Sequence, residues 1–448
     1  MSAEIYHRKV YGRLLEWKKT YGGSYAALIQ GARRVGKSTV AEEFARNEYK
    51  SYIKIDFANI TEEMLDVFRV ISDLDLFFLR LQAETGVTLY ERQSVLIFDE
   101  IQLYPKARQA IKYLVADNRY DYIETGSLIS IRKNVKGIVI PSEEYRIDMY
   151  PMDYEEFMWA CGNTNIDVIQ KMIEKGSAIG DSTNRKLMRD FRIYMAVGGM
   201  PQAVEAYLQK KNFAEIDAVK RGILELYEED FRKIDPSGRI SRMFLSIPSQ
   251  LALKKNRFVI SRATGKRRTT KDEELLSDLI DSRTVLICRH VTSPGISLSQ
   301  TASMDTFKLY LMDTGLFTTL LFNDESKVYE GIYRKLLSDK LPENLGFLYE
   351  NAAAQILASS GRKLYYHTWP KENSTHSYEI DFLILHNAKL IPIEVKSSAI
   401  RPHASLDEFG RIYSKHVFRM WIVSQQDIGK ESEIRLWPLY CLPILVKE

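Results

Sequence analysis

One stretch constrains this chain more than any other: Gly31-Ala-Arg-Arg-Val-Gly36-Lys37-Ser38-Thr39. It fits G-x-x-x-x-G-K-[ST] and stands between an apolar run over 26–30 and a helical pattern over 37–47. Glycines let a backbone curl until its N–H groups converge on phosphate oxygens. The start of the following helix adds the positive end of its dipole. On this pattern Gly31, Ala32, Arg33, Arg34, Val35, Gly36, Lys37, Ser38 and Thr39 surround a triphosphate. Lys37 would reach the β- and γ-phosphates, and Ser38 would offer a hydroxyl to Mg²⁺. A plain glycine turn with an exposed lysine is the bland alternative, and the strand–loop–helix setting disfavours it. ATP and Mg²⁺ are the expected ligands.

A second buried strand should present acids at the same sheet edge. Ser94-Val-Leu-Ile-Phe-Asp99-Glu100 is an apolar run closing on two carboxylates, which a parallel sheet places where ligands bind. Asp99 is expected to hold Mg²⁺, and Glu100 to polarise the attacking water. A third strand, Tyr122-Ile-Glu-Thr125-Gly-Ser127, puts Thr125 or Ser127 within reach of the γ-phosphate or the water. Arg132, Arg146 and Arg192 are candidates for a transition-state arginine, and nothing in the sequence chooses among them.

The 448 residues correspond to two to four domains at about 100–200 residues each. Hydrophobic residues at 45% and charged residues at 27% give a globular balance and exclude wholesale disorder. A net charge of +4 says little about partners, so only local clustering can. Cys161, Cys288 and Cys441 lie far apart in no metal-ligand spacing, which fits a reducing compartment. No apolar leader and no run near 18 apolar residues is visible, so a cytoplasmic protein without a membrane partner is expected. No internal repeat or low-complexity tract appears.

The first third alternates strands, at 26–30, 52–57, 95–99, 122–125 and 145–150, with helices such as 107–114. That alternation predicts an α/β fold with a parallel sheet covered on both faces. From 152 to 231 the pattern is helical, broken at Gly198-Gly199. The expected domains are a P-loop NTPase core over 1–151, a helical lid over 152–231, a winged-helix-like basic section over 232–322 and an α/β C-terminal domain over 323–448.

Six motifs occur in order: the phosphate loop, Phe98-Asp-Glu-Ile-Gln102, Glu124-Thr-Gly-Ser127, Tyr150-Pro-Met-Asp-Tyr-Glu-Glu-Phe157, Val197-Gly-Gly-Met-Pro201 and Leu311-Met-Asp-Thr-Gly-Leu316. Together they resemble the prokaryotic AAA-type ATPases of the archaeal-ATPase-like group that carry a C-terminal domain of unknown function. The resemblance spans nearly the whole chain and implies ATP binding and hydrolysis. Pro141-Ser-Glu-Glu144 stands where the group carries Gly-Arg before the Tyr-Pro segment.

Between Phe231 and Lys271 there are twelve lysines and arginines against one acid, Asp235. The cluster includes Lys254, Lys255, Arg257, Arg262, Lys266, Arg267 and Arg268. Helices over 241–253 and 272–282, then strands over 284–290 and 307–312, suggest a winged helix, and the resemblance implies a helix-turn-helix-like segment here. Such a cluster predicts salt-dependent binding of nucleic acid, DNA first, through residues 232–271. A solvated basic loop or a surface for an acidic partner is the alternative. Assembly with further copies of the chain is compatible with the pattern.

Near the C-terminus, Tyr378-Glu-Ile-Asp381 opens a strand expected over 380–385, and a short turn leads to Ile391-Pro-Ile-Glu394-Val-Lys396. Alternation puts Glu394 and Lys396 on one strand face, with Asp381 on the preceding strand. A helix over 344–358 carries Glu350, and a further strand is expected over 418–423. This constellation resembles the PD-(D/E)xK nuclease superfamily, a restriction-endonuclease-like fold. The resemblance implies Glu350, Asp381, Glu394 and Lys396 as catalytic residues, with Asp381 and Glu394 holding metal. E-x-K is a cheap pattern: Glu16-Trp-Lys18, Glu48-Tyr-Lys50 and Glu325-Ser-Lys327 also occur. An inactive docking module or an exposed charge ladder are the competing readings. His367 and His376 are expected in loops rather than as ligands. The leading expectation is a Mg²⁺-dependent ATPase acting on nucleic acid with a C-terminal DNA nuclease. The alternatives are a slow nucleotide switch and a DNA-binding regulator with a non-catalytic C-terminal module.

Overall fold

The computed structural model describes residues 6–447 apart from 128–140, 164–165, 211, 254–255, 266, 323–332, 334–335, 339–345 and 398–401. Lys254, Lys255, Lys266, Arg132 and the Glu325-Ser-Lys327 triplet lie outside the described residues. The chain divides into two compact units, one of residues 1–150 with 281–283 and one of 151–280 with 284–448.

The first unit is built on five strands: β1 (Ala26–Gln30), β2 (Ser51–Asp56), β3 (Ser94–Asp99), β4 (Asp121–Gly126) and β5 (Glu144–Asp148). Their order is β2-β3-β4-β1-β5, and every neighbouring pair is parallel. Residues of β1, β3 and β4 are buried throughout, as strands covered on both faces must be. Helices Lys9–Tyr21, Glu62–Arg69 and Leu74–Thr85, not assigned from sequence, join Lys37–Glu48 and Pro105–Asp117 around the sheet. Local chemistry starts two of them: the Thr61 and Asp73 side chains accept from the Met64 and Leu76 N–H groups. An aromatic cluster of Phe57, Phe68, Phe77 and Phe98, in edge-on contacts, fills the core on one side. Because β4 lies between β1 and β3, the phosphate loop, Thr125 and Asp99 emerge side by side at one sheet edge.

The second unit opens with helices from Tyr154–Ala160 to Phe213–Ile234. Asp153 and Glu156 form a reciprocal capping box on the first of them. Three of the sequence motifs meet in one buried knot. The Met152 N–H donates to Gly199 O at 2.7 Å, and the Gly199 N–H donates to Asp313 Oδ2 at 2.6 Å. Asp313 Oδ1 caps the Thr314–Leu321 helix at Leu316 N, 2.8 Å away. Lys220 Nζ donates to Ala196 O at 2.7 Å and Gly315 O at 3.2 Å. Burial pulls this ammonium down to about 8. Approach is so close that a Cβ on Gly199 would stand 1.9 Å from Met152 O.

The helix expected over 241–253 is two helices, Arg239–Leu245 and Ile247–Ala252, the second with Pro248 in its first turn. Ile260–Thr264 and Thr270–Asp281 follow. Strands β6 (Val285–Val291) and β7 (Ala302–Leu311) pair antiparallel. They do not stand alone as a wing, because β6 also pairs in parallel with β8 (Leu364–Pro370). With β9 (Ser377–Ile380) the order is β7-β6-β8-β9, so one sheet draws strands from either side of residue 322. A further sheet has the order β10-β11-β12-β14-β13, from β10 (Phe382–His386), β11 (Lys389–Val395), β12 (Met420–Ser424), β13 (Gly429–Glu431) and β14 (Ile434–Pro438). The strand expected over 380–385 breaks at Asp381, where β9 leaves one sheet and β10 enters the other. His367 sits buried in β8, its Nδ1 2.6 Å from Val291 O, and is no loop residue; His376 is exposed outside the strands. All three cysteines are free. Among the described residues no helix is long and apolar enough to cross a membrane.

Gly199→Ala should cost about 1–3 kcal/mol of stability, because backbone rather than a movable side chain fills the space. Gly222→Ala, inside the Phe213–Ile234 helix with nothing within 4 Å of its Cβ, should gain about 0.5–1 kcal/mol. Urea midpoints of the two variants are expected to move in opposite directions.

Candidate functional site

The phosphate loop runs from the end of β1 to the Lys37–Glu48 helix. Gly36 caps that helix in the left-handed region, φ 97°, and no side chain caps it. Its first N–H groups are therefore free of side-chain acceptors and suited to an anion. Gly31 is needed for a different reason: a Cβ there would lie 2.3 Å from Met149 O. The Lys37 ammonium is buried and curls back on its own loop, donating to Ala32 O at 2.9 Å and Gly31 O at 3.2 Å. Burial lowers its pKa, opposed by the charges of Glu100 and Asp99. Arg33 is half-buried, and Arg34 and Thr39 are exposed.

The strand edge brings Ser38, Asp99, Glu100 and Thr125 together. Ser38 Oγ donates to Asp99 Oδ1 at 2.6 Å, and Thr125 Oγ1 donates to the same oxygen. Thr125 Oγ1 in turn accepts the Glu100 N–H at 3.3 Å. Glu100 holds a left-handed backbone, φ 55°, which costs about 1–3 kcal/mol for a non-glycine residue. Its carboxylate accepts from the Gln102 side chain. Ser127, just beyond β4, takes no part in the bonds around Asp99. The serine hydroxyl and carboxylate are hard oxygen donors already in contact, so they fit a Mg²⁺ ion with the phosphates of a nucleotide.

The C-terminal residues are also close in space. Glu394, on β11, pairs with Lys396 at 2.5 Å, and Asp381 Oδ2 accepts the Val395 N–H at 2.8 Å. Glu350, on the Gly346–Ser359 helix, accepts from Tyr310 Oη at 3.4 Å and lies 3.9 Å from Lys308 Nζ. Burial, then repulsion from Glu350, holds Asp381 well above the ordinary carboxylate range, and burial raises Glu394. Asp381 and Glu394, the expected metal pair, each give one oxygen to a nitrogen, that of the Val395 backbone and that of Lys396, while Glu394 Oε2 has no partner. Among the described residues no three His, Cys, Asp or Glu side chains form a group able to hold a metal ion.

Residues 24–158 match the family model of an AAA domain. The amino-terminal unit carries a P-loop AAA-type ATPase domain. Residues 188–327 and 345–442 match two separate models described as domains of unknown function (DUF8612 and DUF4143). The chain is similar to the Walker-type ATPase of Pyrococcus abyssi, with 18% identity over 70% of this chain and 96% of that one, at a TM-score of 0.43. It is similar to Cdc6p of Pyrobaculum aerophilum, with 13% identity over 76% and 98%, at a TM-score of 0.26. A signal transduction ATPase with a tetratricopeptide repeat sensor from Pyrococcus horikoshii is similar at 11% identity over 80% and 46%, with a TM-score of 0.30. No curated protein matches the chain.

Several residues of the ATPase domain were not singled out from sequence. Lys54 of β2 lies 3.4 Å from Asp99 Oδ2 and 3.3 Å from Glu42 Oε2. A lysine in the middle of a strand was the available signal. Arg8 braces the loop from outside it, donating to Val35 O at 2.9 Å and Tyr150 O at 2.7 Å, and only the fold brings these segments together. Of the candidate transition-state arginines, Arg192 is buried and donates to Gln425 Oε1 at 2.7 Å, while Arg146 is exposed on β5. Glu124, on β4 one residue before Thr125, is fully buried, and neither carboxyl oxygen has a hydrogen-bond partner. The nearby Arg108 instead grips Glu144 with two bonds of 2.8 and 2.9 Å.

Burial, with Glu144 adding repulsion, holds Glu124 well above the usual carboxylate range. The folded chain therefore keeps a proton that the unfolded chain has lost, and stability should fall as pH rises above the ordinary carboxylate pKa. Glu124→Gln is expected to flatten that fall, seen as urea midpoints between pH 5 and 8 that change less than in the wild type.

Proposed function

We propose that this chain is a Mg²⁺-dependent ATPase that couples nucleotide turnover to an action on nucleic acid. The observation that carries the first part is the continuous set of bonds linking Ser38, Asp99, Thr125 and Glu100 at one strand edge. It joins the metal-side residues to the residue suited to activate water. On ATP binding, Lys37 would exchange its loop carbonyls for phosphate oxygens, and the uncapped helix start would take a phosphate. A bound Mg²⁺ would supply charge neutralisation across the phosphates. Glu100 orients a water for in-line attack at the γ-phosphorus and accepts its proton as the bond to the ADP oxygen breaks.

A slow switch is the second reading, favoured by the Gln102 bond to the Glu100 carboxylate, which must loosen before that carboxylate can serve a water. Lys37→Ala should abolish ATP binding measured by calorimetry. Glu100→Gln should keep binding while phosphate release drops by about 10²–10⁴-fold. A Glu100→Gln variant with unchanged turnover would remove Glu100 from this role.

The nucleic-acid part is supported by the basic stretch. Arg242, Arg257, Arg262, Arg267 and Lys271 are exposed, whereas Arg239 is tied to Asp272 at 3.0 Å and Arg268 to Asp305 at 2.9 Å. DNA binding is expected to weaken steeply with salt, and Arg257→Ala and Arg262→Ala should each lower the log–log salt slope by about 1. Absence of DNA binding at low salt would end this reading. Cleavage by Glu350, Asp381, Glu394 and Lys396 forms no part of this reading: Lys396 pairs with Glu394, and the Val395 N–H with Asp381.

A further inference from the structure

Glu350, Glu379, Asp381 and Glu394 gather at the junction of the two C-terminal sheets, and such a group needs positive charge within reach. One source is Lys396, which is partly open to solvent and serves Glu394. The other is Lys308 on β7, a residue outside the sequence pattern that pointed to this site. Its side chain is only 6% exposed. The ammonium pairs with Glu379 Oε1, lies 3.9 Å from Glu350 Oε2, and acts electrostatically on Asp381. The Tyr366 ring lies 5.2 Å from the same nitrogen. The charges acting on Asp381 are Glu350, Lys308, Glu379 and Glu394, whereas Lys396, His403 and Asp407 act on Glu394. The cluster therefore has an inner half around Lys308 and an outer half around Lys396, where Glu394 Oε2 is buried without a partner.

We propose that the Lys308 ammonium stands in for a cation between Glu379 and Glu350, beside Asp381, so that the cluster is neutralised from within and takes up no Mg²⁺ or Mn²⁺. A hard divalent ion needs about six converging oxygens. An ammonium needs only two or three acceptors, and a covalent stem delivers it here from β7. The lysine cannot be washed out or exchanged. The C-terminal module is then held together without metal and serves recognition rather than phosphodiester cleavage.

The test is a titration of Mn²⁺ into the full-length, nucleotide-free protein, with free Mn²⁺ read by electron paramagnetic resonance. Wild type and Asp381→Asn, which keeps an acceptor for the Val395 N–H, should give the same curve. Lys308→Ala should gain about one Mn²⁺ site, and the double variant Lys308→Ala with Asp381→Asn should lose it. Lys308→Met, which keeps the stem's volume, takes the place of the alanine variant if that fails to fold. A wild-type site that vanishes in Asp381→Asn overturns the proposal, and so does a folded Lys308 variant that gains no site. Mn²⁺-dependent nicking of supercoiled plasmid by the wild type, lost in Lys396→Ala but kept in Lys37→Ala, overturns it independently. The wild-type comparisons decide the matter even if neither lysine variant folds.

Discussion

A carboxylate taken out of water must be given hydrogen bonds or a cation, and Asp99 is where the ATPase sheet meets that demand. Two hydroxyls from different elements converge on one of its oxygens, and Lys54 stands by the other. Those bonds tie the phosphate-loop helix to β3 and β4 at the edge where a nucleotide would sit. Satisfying a buried carboxylate and assembling the strand edge are here the same act.

The same demand is met twice more with different means. Asp313 is fully enclosed and answered mainly by backbone N–H groups, so it fixes the Gly198-Gly199 turn against the Thr314–Leu321 helix. Lys220 is answered by carbonyl oxygens of the same knot. In the C-terminal sheets, lysines from β7 and from the end of β11 offset the carboxylates. In each case segments distant in sequence share one buried polar group, which resists rearrangement because breaking one contact leaves that group unsatisfied.

The nucleotide edge was legible in the sequence because its parts are local. Glycine spacing, an apolar strand and the acids at its end are each written in a few consecutive residues, and the parallel order follows from strand–helix alternation. Asp381 shows the limit. Its position next to Glu394 was readable from the hairpin, since β10 and β11 pair as expected. The break between β9 and β10 was not, because one residue changing sheets leaves no trace in apolar alternation. Lys308 was invisible for a related reason. It lies about forty residues before Glu350 and seventy before Glu379; the pairing of β6 with β8 brings β7 near Glu379, and bonds from Tyr310 and Leu311 to the Gly346–Ser359 helix bring it to Glu350. Arg8 and Glu124 likewise gain meaning from neighbours that the fold supplies.

The sheet that joins β7 and β6 to β8 and β9 bears on how such chains can be assembled from parts. A cut near residue 322 would part the two sides of a hydrogen-bonded ladder, baring the inner edges of β6 and β8. Recombination between related genes would therefore preserve function only when the hairpin and the segment behind it travelled as a single cassette. The basic stretch could vary ahead of that cassette while the acidic junction stayed fixed.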